Sequence, residues 1–192
     1  SVASRGLGDV YKRQKELSET YNQILNKEKI NQKAKQISYV DYAIWQRENS
    51  ALIDKQLDYW QENLENANHI IDFPSDFKRE NKNKAAIYNF ELDSNLIRGI
   101  RKISKENNLT NFMTILSGLY ILLRKYSRQN DISIGTTIAN RHHPEIENIL
   151  GYFVNSLVLR IKGEENDNIS SLYQKSKDTI LNAFANSEAP FD

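Results

Sequence analysis

The chain contains no cysteine and a single methionine, Met113. Without cysteine it can form no disulfide, offer no thiolate to a metal ion and use no cysteine nucleophile. Because no methionine precedes Met113, we expect the chain to be a piece of a longer reading frame.

The sequence also lacks an excess of charge of either sign and a long apolar run. Lys and Arg number 26 against 25 for Asp and Glu, which leaves no broad basic surface for nucleic acid or anionic lipid. The longest mostly apolar stretch, Phe112–Leu123, is shorter than the roughly 20 residues that cross a bilayer. No secretion signal is visible. We therefore expect a soluble cytoplasmic protein that binds neither nucleic acid nor membrane.

The first residues have an unusual source. Ser4–Gln14 reads SRGLGDVYKRQ, which resembles the translation of a transposase-based sequencing adaptor. A chance match of that length is far less plausible than an adaptor left in an assembled read. We therefore expect residues 1–14 not to be native and exclude them from fold reasoning.

Helical and strand patterns follow one another along the rest of the chain. Residues 15–74 have apolar side chains at helical spacing, residues 75–84 form a polar linker after Pro74, and residues 85–192 mix both patterns. The fold class is therefore α/β (mixed α+β). The predicted strands have alternating or continuous apolar residues: Ala85–Leu92, Asp131–Ala139 and Phe153–Ile161.

Few residues suggest chemistry by themselves. Adjacent His142 and His143 cannot both face one metal from a regular helix or strand, so a surface loop is expected and no metal site is predicted. Asn155 is a polar residue in an apolar strand, and a buried asparagine needs hydrogen-bond partners. It could belong to a site or anchor a loop, and the residues leave both readings open.

Three segments carry a family resemblance. Tyr39–Trp45 (YVDYAIW) resembles a YxDYAxW motif, Leu150–Arg160 (LGYFVNSLVLR) resembles GxFVNTLVLR, and Asn186–Asp192 (NSEAPFD) resembles HQDxPFE. In this order and spacing they resemble the condensation domains of nonribosomal peptide synthetases. The resemblance runs from about Lys15 to Asp192.

The resemblance has departures. His-Gln-Asp of the third motif is replaced by Asn186, Ser187 and Glu188, and its last Glu by Asp192. The family's catalytic motif, HHxxxDG, does not occur in these 192 residues. The segment that begins at His142 matches its first two letters only and lies after YxDYAxW, whereas the family's motif lies before it. The resemblance therefore implies no catalytic residue in this chain, and it places the catalytic His upstream of Lys15.

The resemblance implies a two-lobed fold of the chloramphenicol-acetyltransferase type, of which this chain would hold the end of the first lobe and the start of the second. It implies amide formation between carrier-bound aminoacyl or peptidyl thioesters, with upstream and downstream peptidyl carrier domains and an adjacent adenylation domain as partners. No cofactor would be bound directly, since phosphopantetheine arms of the carriers hold the substrates. The implied tunnel or lobe-interface positions are Asn155, Ser156, Gly135, Asn140 and Arg141.

Two alternatives accompany this interpretation. An epimerisation or heterocyclisation relative would carry other residues where Phe153–Ser156 stands, so the sequence argues against it. A noncatalytic piece that docks carrier domains gains weight from the missing HHxxxDG motif.

Overall fold

The structure, a computed structural model, describes residues 2–30, 37–76 and 86–191, with side chains from Val10 onward in the first helix. It contains six α-helices, two strands and one 3₁₀ turn within those ranges. The helices are α1 Val2–Leu25, α2 Tyr39–Glu48, α3 Ser50–Leu64, α4 Ser94–Glu106, α5 Asn111–Ser127 and α6 Ile169–Ala185. The strands are β1 Asp131–Ile138 and β2 Asn155–Lys162, and the 3₁₀ turn is Pro144–Ile146.

Side-chain caps set where several helices begin. Ser38 and Asp41 form a reciprocal capping box at the start of α2. The Asp93 carboxylate accepts from the Asn95 and Leu96 amides at 2.7 and 2.9 Å, and the Thr110 hydroxyl accepts from the Met113 amide at 3.1 Å. Asp93 and Thr110 therefore mark the starts of α4 and α5, because each cap satisfies amides that have no partner within the helix.

The two strands pair in one sheet. The Gly163 amide donates to the Asn130 carbonyl at 2.8 Å, so the end of β2 lies beside the start of β1, as in an antiparallel pair. The predicted strand Ala85–Leu92 is wrong for the residues that the structure describes. Residues 86–92 are not in a strand there, and Ile87 is 89% exposed. Alternation alone cannot form a strand, since the backbone also needs a paired neighbour. Ala85 lies outside the described residues.

The chain divides into two compact units, each assembled from separate segments. Unit 1 comprises residues 1–60, 136–157 and 186–192, and unit 2 comprises residues 61–135 and 158–185. Most of the predicted linker, residues 77–84, lies outside the described residues. None of the helices in the described ranges has the length and apolar character needed to cross a membrane.

Unit 2 has a helical core. Helix α5 packs against both α4 and α6. The buried side chains of unit 2 include Tyr120 on α5 and Ile180 on α6, with Ile132, Leu159 and Ile161 from the strands. Along α6, Ile180 is 2% exposed, whereas Phe184 near its end is 41% exposed.

A buried cation joins distant segments of unit 2. The Arg160 guanidinium donates to the Asp131 carboxylate, with Nε–Oδ1 at 2.8 Å, and to the carbonyls of Asn63 and Glu65 at 2.6 and 2.8 Å. The side chain of Arg160 is 3% exposed. A planar guanidinium suits this task because its donors lie in a fixed fork.

Candidate functional site

An aromatic cluster forms the centre of unit 1. Tyr42, Ile146, Ile149 and Phe153 are buried together, with Trp45 packed against them. The Tyr42 and Phe153 ring centroids lie 4.8 Å apart, and Tyr39 meets Phe153 edge to face at 5.2 Å. The spacing of Tyr39, Tyr42 and Trp45 on α2 brings all three rings to one side of the helix. Helical spacing of Tyr39, Tyr42 and Trp45 thus places these rings in or against the core of unit 1.

Hydrogen bonds join this helix to the other two motif segments. The Tyr39 hydroxyl donates to the Tyr152 carbonyl at 3.1 Å, and the Tyr42 hydroxyl donates to the Glu188 carboxylate at 3.2 Å. Gly151 is needed for the first approach, because a Cβ there would stand 2.3 Å from the Tyr39 ring. Three segments that lie far apart in sequence are thus brought together within one unit.

The C-terminal segment, residues 186–191, is held by polar side chains. Asn155 Nδ2 donates to the carbonyls of Ser187 and Ala189 at 2.8 and 2.6 Å. Trp60 Nε1 donates to the Asn186 carbonyl at 2.7 Å, and Gln56 Oε1 accepts from the Ala189 amide at 2.9 Å. Four main-chain groups of this segment, three carbonyls and one amide, therefore have side-chain partners outside secondary structure.

Arg141 organises the loop between the strands. Its guanidinium donates to the carbonyls of Ile146 and Ile149 at 2.6 and 2.7 Å, and it lies 4.2 Å from the Phe153 ring centroid. A cation over an aromatic face is attracted by the ring's negative surface. Arg141 therefore acts on the loop and the aromatic cluster, and it does not line the pocket described below.

The two adjacent histidines are exposed loop residues, as predicted. His142 Nε2 and the Ser187 hydroxyl lie 2.9 Å apart, whereas His143 contacts the Trp45 ring edge to face at 5.7 Å. They therefore contact different parts of unit 1.

A polar pocket of about 190 Å³ opens beside the aromatic cluster. Its walls are aromatic rings and polar side chains, and its lining is Tyr39, Tyr42, Gln46, Asn140, Tyr152, Phe153, Val154, Asn155, Ser156, Glu188, Pro190 and Phe191. Asn140 is 5% exposed and has φ 49°, in the left-handed region that asparagine tolerates better than most residues. Within the described residues, its buried Oδ1 has no hydrogen-bond partner.

The pocket contains one carboxylate beside a buried phenol. Burial raises the pKa of the Tyr42 hydroxyl, and the neighbouring Glu188 carboxylate raises it further. Tyr42 is therefore a neutral hydrogen-bond donor at physiological pH, and Glu188 is the acceptor. The lining has no lysine, arginine or histidine to balance this carboxylate.

A larger depression of about 340 Å³ lies elsewhere on unit 1. Trp45, His143 and Ile146 contribute to its mostly apolar lining. Asp41 at its rim is engaged in the capping box of α2. This depression offers apolar surface and little that would orient a ligand.

The five site residues expected from the sequence occupy different places. Asn140, Asn155 and Ser156 line the polar pocket, whereas Arg141 and Gly135 are not among its lining residues. Gly135 is an exposed residue of β1 in unit 2. Sequence reasoning missed Glu188 and Tyr152. Glu188 could have been predicted, because the third motif has an acidic residue at this position. Tyr152 could not, because it contributes a main-chain carbonyl, which every residue has.

Comparison with known proteins identifies the family. The family model "Condensation domain" matches residues 14–192. The chain belongs to the condensation domain family. The three motif segments lie within the matched range, so the resemblance of the sequence to condensation domains of nonribosomal peptide synthetases is confirmed.

Similar proteins are large synthetases. A linear gramicidin synthase of Brevibacillus parabrevis is 35% identical over 181 residues, which is 92% of this chain and 4% of that protein. Bacitracin synthase 1 of Bacillus licheniformis is 36% identical over 160 residues, or 81% of this chain and 3% of that protein. Malpinin synthetase of the fungus Mortierella alpina is 34% identical over 182 residues, or 93% and 2%. The condensation domain chain thus spans a few per cent of each relative.

Solved structures agree on the fold. The first condensation domain of the calcium-dependent antibiotic synthetase, in complex with a substrate analogue, superposes with a TM-score of 0.74 at 12% identity, covering 96% of this chain and 40% of that one. A four-domain nonribosomal peptide synthetase bound to AMP and glycine gives a TM-score of 0.68 at 26% identity, covering 72% and 11%. The predicted mixed α and β class of the chloramphenicol-acetyltransferase type is confirmed.

Proposed function

We propose that this chain is part of a condensation domain that forms an amide bond in nonribosomal peptide synthesis. The amine of one carrier-bound aminoacyl group attacks the thioester carbonyl of the other. A C–N bond forms, the C–S bond breaks, and the amine loses a proton while the released thiolate gains one. The growing chain is thereby transferred to the downstream carrier.

One observation supports this proposal above the others. The three family motifs, at Tyr39–Trp45, Leu150–Arg160 and residues 186–192, all place residues in unit 1 and are joined there by direct hydrogen bonds. The match of residues 14–192 to the family and the similarity to synthetases give the chemistry its context.

In this proposal the chain covers the end of a first lobe and the start of a second, and a tunnel between the lobes admits two phosphopantetheine arms. Its partners are upstream and downstream carrier domains and an adjacent adenylation domain. Residues 1–14 are not native in this proposal, and the family match supports this for residues 1–13, which it leaves out.

No catalytic residue is assigned within the 192 residues, because they contain no HHxxxDG. We therefore propose that this chain alone does not catalyse condensation. Asn140 and Ser156 remain tunnel candidates. Both amide hydrogens of Asn155 are used on the C-terminal segment, and its Oδ1 accepts from the Ser156 amide at 2.8 Å, which supports a bracing role for this residue.

The reaction asks little of a general base. A free α-amino group has a pKa of about 7.7–8.0, so an appreciable fraction is already neutral near pH 7. A positioned base typically adds roughly 10²–10⁴-fold, whereas holding two reactants at attack distance can supply more. The domain is, in this proposal, mainly a positioning device.

The test begins with the source DNA. Reading upstream of Lys15 is expected to remove SRGLGDVYKRQ and to reveal HHxxxDG shortly before Lys15. The extended protein, with two aminoacyl-loaded carrier domains, should form the amide product detected by mass spectrometry, and its second-His→Ala variant is the control. The 192-residue chain should form none.

A noncatalytic docking role is the second candidate, and the absence of HHxxxDG in this sequence favours it. If SRGLGDVYKRQ is encoded in the source and no HHxxxDG precedes it, amide formation is refuted. Carrier binding without product would then support docking.

A further inference from the structure

Several side-chain donors that line the polar pocket of unit 1 are already used within the protein. The Tyr39 and Tyr42 hydroxyls donate to the Tyr152 carbonyl and the Glu188 carboxylate. Both amide hydrogens of Asn155 are directed to main-chain carbonyls. These donors are therefore committed within the protein, and the other side-chain donors of the lining belong to Gln46, Asn140, Tyr152 and Ser156.

Two acceptor groups of the lining residues have unused hydrogen-bonding capacity. Asn140 Oδ1 is buried with no partner in the described part of the chain, and such an atom costs free energy unless a donor reaches it. In the same ranges Tyr42 donates to Oε2 of Glu188, which leaves Oε1 open. A carboxylate can accept several hydrogen bonds, so Glu188 has capacity beyond this one.

The walls favour positive charge. Tyr39, Tyr42, Tyr152, Phe153 and Phe191 line the pocket, and aromatic faces attract cations. The neighbouring Arg141 guanidinium, 4.2 Å from the Phe153 ring centroid, already uses one such face outside the pocket. The lining itself has a formal charge of −1 from Glu188.

We propose that this pocket is a binding site for a primary ammonium group, held by Asn140 Oδ1 and the Glu188 carboxylate against the tyrosine rings. A primary ammonium has three donors and a positive charge, which is what the open acceptors and the carboxylate require. The volume of about 190 Å³ admits such a group with a short stem. The ammonium could belong to an aminoacyl group or to a lysine side chain, two sources with the same chemistry.

The full chain labelled with [¹⁵N]asparagine allows a direct test. Glycinamide imitates the aminoacyl source and n-butylammonium imitates lysine. Tetramethylammonium has the same charge and no N–H donor. Each primary amine should cause a saturable shift of the Asn140 Nδ2 signal, and tetramethylammonium should not. The stronger of the two primary amines indicates the source.

Variants separate recognition from general charge. Glu188→Gln should weaken binding by roughly tenfold or more, because hydrogen bonds to charged groups are the strong ones. Glu48→Gln, an equal change of charge on an exposed part of α2, should leave binding unchanged. Asn140→Asp adds a carboxylate at a position whose backbone Asp also tolerates, and it should tighten binding.

Three results would overturn the proposal. They are no saturable shift with either primary amine, equal shifts with tetramethylammonium, and equal affinity in wild type and Glu188→Gln. In the first case a bound water satisfies Asn140. If Glu188→Gln does not fold, Asn140→Asp decides, and unchanged or weaker binding counts against the site. None of these readouts involves amide formation, so the function proposed above is tested separately.

Discussion

The two units differ in how they join segments that are distant in sequence. In unit 1, individual polar side chains reach main-chain atoms of the C-terminal segment, as Asn155 and Trp60 do. In unit 2, α5 packs against two helices, and a buried guanidinium connects β2 to Asp131 and to the end of α3.

This difference predicts unequal local stability. A neutral hydrogen bond contributes about 0.5–1.5 kcal/mol net, so the C-terminal segment of unit 1 is held by several modest interactions. In unit 2, helix α5 packs its apolar side chains against two other helices. The Arg160 guanidinium is buried there, and removing the partner of a buried charge is strongly destabilising. Segments held by few apolar contacts open at lower free energy than the core. We therefore expect residues 186–191 to exchange amide hydrogens faster than α5.

The largest effect should come from Arg160, on which unit 2 depends. Arg160→Met should lower the free energy of unfolding by about 3 kcal/mol, because Asp131 and two carbonyls lose a buried partner. Asp131 is 28% exposed, so water relieves part of that loss. Urea unfolding followed by circular dichroism measures it.

Arg160→Lys is the matched control. It keeps the charge and loses the fork, so its loss should be smaller than that of Arg160→Met. If Arg160→Met lowered the free energy of unfolding by less than about 1 kcal/mol, the range of exposed ion pairs, the buried guanidinium would not make unit 2 more stable than unit 1.

The next largest effect should appear in unit 1. Asn155→Asp keeps the shape and replaces two donors by a carboxylate that faces the Ser187 and Ala189 carbonyls. We expect a loss of about 2 kcal/mol, because buried acceptors are left without partners. Hydrogen exchange should show lost protection at residues 186–191, with α5 unchanged.

Asn155→Ala is the control for that variant. It removes the same donors without adding charge, so it should cost less than Asn155→Asp. Equal protection of residues 186–191 in wild type and Asn155→Asp would mean that this asparagine does not hold the segment.

A smaller effect depends on pH and concerns unit 2. The hydrogen bond from Lys175 holds the pKa of Asp167 at about 2, below its usual 3.8. Because the folded pKa is depressed, the stabilisation is complete above the unfolded pKa of 3.8 and is lost as pH falls through about 2. Asp167→Asn should therefore be less stable than wild type near neutral pH, with the difference shrinking between those two values.

Unfolding curves at a series of pH values measure this difference. Asp178→Asn is the control, since that residue is exposed on α6 and changes charge equally. A constant difference across the acid range would contradict the Asp167 assignment.

The smallest predicted effect is a gain in the free energy of unfolding. Ser176 is fully buried on α6, and its hydroxyl has no partner within the described residues. Ser117 is as buried, but its hydroxyl donates to the Met113 carbonyl at 2.8 Å. Ser176→Ala should stabilise the protein by up to about 1 kcal/mol, whereas Ser117→Ala should not. Thermal unfolding of both variants gives the comparison, and equal shifts would show that Ser176 is satisfied.

Local chemistry made much of the fold predictable. Asp93 and Thr110 begin helices because their side chains cap amides next to them in sequence. The apolar runs that became β1 and β2 were recognisable from their apolar residues, although half of the residues of β2 and only Ile132 of β1 are buried. The alternating pattern of residues 85–92 predicted a strand, but residues 86–92 do not form one. A strand needs a paired neighbour, which no local sequence pattern specifies.

The candidate site was predictable only in part. The motifs marked Asn155 and Ser156, and the left-handed backbone of Asn140 follows a strand that the sequence predicted. Nothing in the sequence showed that Glu188 would accept from Tyr42, 146 residues away. Such a contact depends on how the chain closes on itself.

The sequence by itself determined the family, the helix starts at Asp93 and Thr110, the two strands and the absence of HHxxxDG, because each of these depends on residues that are neighbours in sequence. Tertiary structure decided which polar groups met. Asn155 became a brace and Asn140 kept an open acceptor, although both are asparagines beside a strand. The reason is that a hydrogen bond requires two groups at about 3 Å with suitable direction, and only the folded chain sets that distance.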